Sequence, residues 1–216
     1  MTEGVGIYES IKKRYEPWVS ENCRLAEFWR PYPIDWAVLA ESPPYPRNEH
    51  QWLCPSYIYR VREGERGGHL LGAIVSGFLD EDTSEWRHAK RLRGLRRAQA
   101  FVLDVCEHPV NHLPHGMRTD EVKTSMGSSF KRRLETAQPN NIIVLGSQDP
   151  GEFGDIVRTN LEPRYRTLVS NDSTIPFPHG GGDNYARCRD GIKRCVDKIR
   201  KEKGKPDVTC DEFLCI

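Results

Sequence analysis

With 216 residues, 37% hydrophobic and 29% charged, the chain has the make-up of one folded domain, which excludes a disordered polymer. Its 32 basic and 31 acidic residues leave a net charge of +1, so a globally basic nucleic-acid binder is excluded and a local basic patch is not. No apolar run approaches the roughly 18 residues of a membrane span.

The opening stretch MTEGVGIYESIKKRYEPW lacks the apolar core of a signal peptide, so a cytoplasmic location is expected. Residues 7–29 place Ile7, Ile11, Tyr15, Trp18, Leu25 and Phe28 at near-helical spacing. Trp36–Ala40 is a short apolar run closed by Glu41-Ser42-Pro43-Pro44-Tyr45. Such runs, bounded by Pro and Gly, predict strands covered on both faces. Segment 45–97 is an elaborated insertion. It holds an apolar stretch Leu70–Leu79, an acidic patch Asp80–Glu85 and a basic run from Arg87 to Arg97.

Phe101–Cys106 predicts the second strand, followed by Glu107-His108-Pro109. Residues 120–137 predict a helix. Asn141–Leu145 predicts the third strand, with turn residues 146–151 after it and a helix over 152–161. Thr167–Ser170 predicts a fourth strand, followed by a loop that runs to Gly182. Asp183–Lys203 predicts the last helix, with Tyr185, Ile192, Cys195, Val196 and Ile199 as its apolar stripe. A short tail, 204–216, completes a single domain spanning 1–216. Helices alternating with buried strands imply a parallel sheet, and ligands of such sheets sit at the carboxyl ends of the strands.

Glu41 directly follows a buried strand, so its carboxylate is placed at that rim, and Pro43 and Pro44 stiffen the approach of a flat ligand. Gly180, Gly181 and Gly182 precede the last helix and allow close backbone approach to an anion. Phe177 between two prolines offers a rigid apolar edge, and His179 a donor. Plain turn and packing roles are the alternative for each. Arg91, Arg93, Arg96 and Arg97 lie in a run with no acid inside it, which reads as a phosphate-contact patch or as a solvated face. His108, His112 and His115 are interrupted by Pro109 and Pro114, which argues against a helical metal site. The seven cysteines form no CxxC pair, so neither a metal nor a disulfide framework is expected and reduced thiols are.

Taken in order, these loops resemble the motifs of the uracil-DNA glycosylase superfamily over roughly residues 30–200. Val38-Leu39-Ala40-Glu41-Ser42-Pro43-Pro44 is similar to its first motif. Phe101–Pro109 resembles its second strand and Pro-bearing exit, and Pro139–Gly146 its third strand. Ile175-Pro-Phe-Pro-His-Gly-Gly181 resembles the last loop, before a helix. The resemblance implies a three-layer α/β/α sandwich with a four-stranded parallel sheet in order 2-1-3-4. It implies a monomeric hydrolase that excises a flipped, deaminated base in DNA repair, with single- or double-stranded DNA or a nucleotide as partner and no cofactor. Cluster-bearing members carry paired cysteines before the first motif; only Cys23 precedes it here, so no iron–sulfur cluster is expected.

On this reading Glu41 stabilises the developing sugar cation and His179 the departing base. Ser42, Pro43 and Pro44 shape the base pocket, Tyr45 or Phe177 stacks on the base, and Asn111 or Asn171 reads its polar edge. The glycine amides and the arginine run hold phosphates. Two departures stand out. Ala40 occupies the place of the usual Gly, and Ile175-Pro176-Phe177 that of His-Pro-Ser, with His179 displaced. They leave two alternatives: a non-catalytic nucleotide or nucleic-acid binding module, or a hydrolase of free nucleosides or nucleotides.

Overall fold

A computed structural model describes residues 2–61, 64–146, 152–169, 175–178 and 183–203. Helix α1 (Thr2–Trp29) buries Tyr8, Ile11, Tyr15 and Asn22 along one side. Its Tyr15 hydroxyl accepts a hydrogen bond from Asn22 Nδ2 two turns on, at 3.2 Å. Strand β1 (Trp36–Ala40) is buried at every residue, as its unbroken apolar run requires. It is the middle strand. β2 (Ala100–Asp104) and β3 (Asn141–Val144) flank it, both parallel, in the order β2-β1-β3. The register sets Ala40 beside Asp104 and Leu39 beside Val144.

The expected fourth strand is not formed among the described residues; the sheet has three strands. Pro163 opens a short helical turn, and the amides of Leu168 and Val169 bond back to Tyr165 and Arg166 carbonyls at 3.0 and 3.2 Å. Those amides are therefore occupied before a ladder can use them. What remains beside β3 is two isolated parallel bridges, Ile142 with Val169 and Leu145 with Ile175.

The outer edge of β2 is closed by side chains. The buried Tyr59 hydroxyl accepts from Val102 N–H at 2.7 Å and donates to Val102 C=O at 3.1 Å. Arg133 donates to the Asp104 and Val105 carbonyls at 2.7 and 3.0 Å. An open strand edge is thus satisfied without another strand.

Segment 45–97 folds as α2 (Glu49–Leu53), α3 (His69–Leu79) and α4 (His88–Arg97). α3 is buried from Leu71 through Phe78 and lies against both α4 and the last helix. Phe78 meets Trp36 of β1 edge-on at 5.6 Å, which places α3 on the sheet. The predicted helix over 120–137 is two helices, α5 (His115–Met126) and α6 (Ser129–Ala137). Gly127 ends the first by donating to Lys123 C=O, and Ser128 leaves helical geometry at φ −132°, ψ −100°. α7 (Phe153–Asn160), α8 (Pro163–Arg166) and α9 (Asp183–Glu202) complete the described elements. Gly77 lets α3 and α9 touch at backbone distance: a Cβ there would sit 2.7 Å from Arg189 C=O. Among the described residues no helix is long and apolar enough to cross a membrane.

Candidate active site at the carboxyl ends of the strands

The chain leaving β1, the end of β2 and the segment after Ile175 do converge. Ser42, Pro44, Val102, Asp104 and Phe177 line one cavity of about 180 Å³, closed from the other side by Tyr57, Ile58, Gly67, Gly68, Leu71 and His88. Ser42 and Pro44 from the first predicted loop and Phe177 from the last are therefore together. Pro43 is buried beside them, and Ser42 Oγ accepts from Val110 N–H at 3.2 Å, tying the first loop to the second.

Asp104 is the one charged residue of β2. Burial pushes its carboxyl up to about 7; Arg133 opposes the shift, and the neighbouring Glu41 charge adds to it. Asp104 also lines a second cavity of about 220 Å³, between α1 and α6, so its side chain stands where two cavities meet. Reading the loops alone passes over it. The signal in the sequence is a lone acid inside the apolar run Phe101–Cys106, at the strand end where ligands bind.

Glu41 is placed differently from expectation. Arg118 of α5 binds it through both oxygens, Nε to Oε1 and Nη2 to Oε2, the latter at 2.9 Å. The Glu41 side chain is 13% exposed and does not line the cavity holding Asp104 and Phe177. Its charge is near enough to add to the upward shift of Asp104. Arg118 too is invisible to the sequence reading, because residues 115–119 carry no helical stripe that would show which way it points.

Tyr45 does not face the cavity. Its ring stacks on His112 at 4.2 Å and meets Trp52 edge-on at 5.9 Å, in the satellite core formed by Ile11, Tyr15 and Trp52. It packs the insertion against α1 and is not a base-stacking platform. Asn111 is exposed and is not part of the cavity lining. Asn171, His179, Gly180, Gly181 and Gly182 lie outside the described residues.

The basic run divides. Arg91 is 5% exposed and donates to Thr83 C=O at 2.9 and 3.1 Å and to Ser84 C=O at 3.1 Å, so it holds the turn before α4 and cannot serve as a surface phosphate contact. Leu92 and Leu95 carry that face of the helix into the core. Arg97 is paired with Glu81 at 2.8 Å, and Lys90 lies over the Trp86 ring. Arg93 and Arg96 are exposed.

Of the three histidines, His108 meets Glu16 at 3.0 Å, His112 stacks on Tyr45, and His115 is exposed at the start of α5. Among the described residues no three His, Cys, Asp or Glu side chains converge as a metal site would require. Cys23, Cys54, Cys106, Cys188 and Cys195 are free thiols, and burial raises Cys106 and Cys188 to about 12, which leaves them inert. Cys210 and Cys215 lie outside the described residues. No family model, no curated protein and no solved structure matches this chain.

Proposed function

We propose that the protein hydrolyses the N-glycosidic bond of a nucleobase seated in the cavity of Asp104 and Phe177, with Asp104 moving the proton. The observation that carries this reading is the place of Asp104, a lone carboxyl at the strand-end rim that lines the cavity with Ser42 and Phe177, where burial raises it to about 7. A group titrating there is present at neutral pH both as acid and as base. The cavity of about 180 Å³ is smaller than the roughly 300 Å³ at which sites for drug-sized ligands begin, so its occupant is one small ring. Phe177 supplies an apolar wall for that ring.

N-glycoside cleavage builds negative charge on the leaving base and positive charge on the sugar. Protonated Asp104 neutralises the first by giving its proton to the base as the glycosidic bond breaks; the resulting carboxylate favours the second, orients water onto the sugar carbon and takes the proton that water loses, which restores the acid. Glu41, held by Arg118, keeps the proton on Asp104 in the resting enzyme. The parallel order β2-β1-β3, with Val169 bridged to Ile142 and Ile175 to Leu145, is what supports the likeness to the uracil-DNA glycosylase superfamily, on a sheet of three strands.

A free nucleoside or nucleotide as substrate is favoured over DNA by one observation. Arg91 is buried and Arg97 is paired, so neither adds to a surface patch along which a DNA backbone could run. Incubation with uracil-, hypoxanthine- and xanthine-bearing oligonucleotides, and with the matching nucleosides and nucleotides, separates these readings by which substrate releases base. Asp104→Asn should lower that release by at least about a hundredfold. Base release that survives Asp104→Asn removes Asp104 from the chemistry, and no release from any substrate leaves a binding module.

A further inference from the structure

A third cavity, of about 390 Å³, is lined by Arg66, His69, Ser84, Arg91 and Tyr185, with Gly67 and Pro178 in its wall. None of the described residues lining it is a carboxylate. Gly67 also lines the ring cavity, and Pro178 follows Phe177 directly, so the two spaces adjoin along a shared wall. Gly67 stands at φ +77°, a conformation that suits glycine and keeps that wall free of a side chain.

Arg91 is the unusual member. It is 5% exposed, yet among the described residues the hydrogen bonds of its guanidinium go to neutral carbonyls, of Thr83, Ser84 and Gly68. Buried charges are ordinarily matched by an opposite charge. Its Nη1 makes a long 3.4 Å bond, to Gly68 C=O. Burial lowers the Arg91 pKa and the Arg66 charge adds to that, while Tyr185 and the Asp82 carboxylate, which makes no hydrogen bond to it, oppose the shift. Arg66 itself is 63% exposed and rests on Glu85 at the rim, 2.9 Å away, from where it can turn inward. Two cations, an imidazole and the Tyr185 hydroxyl around one hollow are the donor set of a phosphate site.

We infer that this cavity binds the phosphate group of a ligand whose ring occupies the Asp104–Phe177 cavity, so that the substrate is a nucleotide unit and not a bare nucleoside. The inference builds on the ring-pocket reading, but its anion half is measurable alone. The phosphate can belong to a free nucleotide or to a nucleic-acid strand.

The test is calorimetric binding of inorganic phosphate, deoxyuridine, deoxyuridine 5′-monophosphate and a trinucleotide with central deoxyuridine. Wild type is compared with R66A/H69A, which leaves Arg91 and its loop in place. Binding is measured with the full chain at low ionic strength. The monophosphate should bind at least about tenfold more tightly than deoxyuridine, inorganic phosphate should compete with it, and R66A/H69A should erase that difference without weakening deoxyuridine. A trinucleotide that shows the same loss assigns the phosphate to a strand; loss for the monophosphate alone assigns it to a free nucleotide. Inorganic phosphate bound by wild type but not by R66A/H69A, with no nucleoside bound by either, upholds the anion site and ends the ring-pocket reading. Equal affinity for deoxyuridine and its monophosphate, or a monophosphate preference that R66A/H69A retains, overturns the inference.

Discussion

Arg118 binds both oxygens of Glu41, so the first acidic residue after β1 is a charge partner for α5 and a neighbour, not a member, of the cavity. The pair is partly buried, with Arg118 32% and Glu41 13% exposed. Removing Arg118 strands a carboxylate beside Asp104. Arg118→Met should destabilise the fold by about 1–3 kcal/mol, less than a fully buried pair because a third of the arginine reaches water. It should also move the acid–base profile of base release upward, since Asp104 then faces an unmatched charge. Glu41→Gln should shift that profile downward. Urea titrations and pH–rate profiles of both variants check this; profiles that do not move would separate Glu41 from Asp104.

Asp104 makes stability depend on pH with a definite sign. Its pKa rises from the ordinary 3.8 to about 7 on folding, so the folded chain holds a proton that the unfolded chain releases. The contribution is complete below about pH 4 and is lost as pH rises through 7. Asp104→Asn never ionises, so its stability relative to wild type should grow between pH 5 and 7, by about 1.4 kcal/mol per unit at most, and level off above. Urea midpoints at pH 5, 6, 7 and 8 measure it. A constant gap between the two proteins would mean that Asp104 titrates as an ordinary aspartate.

Tyr59 tests how the sheet edge is closed. Its hydroxyl serves both Val102 N–H and Val102 C=O. Tyr59→Phe keeps the ring stacked on Phe101, 5.2 Å away, and deletes only the hydroxyl. It should cost about 1–3 kcal/mol, the cost of stranding buried polar groups, and speed hydrogen exchange at the Val102 amide. Unchanged exchange there would show that another partner replaces the hydroxyl.

The three strands are legible in the sequence because each is a short apolar run, bounded by turn residues, that is buried on both faces. Thr167–Val169 looks the same in composition. It fails as a strand because the helical turn begun by Pro163 captures its amides, a local hydrogen-bond competition that hydrophobicity does not register. Ser42 and Pro44 follow from their position after β1, and Phe177 from its place just after the Ile175 bridge. Tyr45 is misplaced because an aromatic residue in a Pro-rich loop gives no sign of which ring it will meet, here His112. Asp104 is visible as an acid in an apolar run, but its shifted pKa comes from burial, and Tyr57, Ile58, Gly67, Gly68 and Leu71, which share its cavity, come from a stretch with no periodicity to announce where it goes.

The arginine run supplies the last test, because its members have different tasks. Arg93 and Arg96 are exposed, while Arg91 donates to carbonyls of Thr83 and Ser84 from inside the fold. R93S/R96S should leave stability within about 0.5 kcal/mol of wild type, as surface changes away from structural features do. Arg91→Met removes the donors to the carbonyls of buried Thr83 and of Ser84 and should cost about 2–4 kcal/mol. If nucleic acid is the substrate, R93S/R96S should also weaken its binding and flatten the plot of log affinity against log salt by about 0.7–0.9 for each phosphate no longer neutralised. If a free nucleotide is the substrate, the salt slope should stay where it was, because Arg93 lies on the side of α4 away from His88 and Arg91, the two residues of that helix that line the cavities. Thermal melts together with oligonucleotide binding at several salt concentrations read both halves. A stable R91M protein would show that other bonds hold the turn before α4, and a flattened salt slope in R93S/R96S would turn the choice of substrate toward DNA.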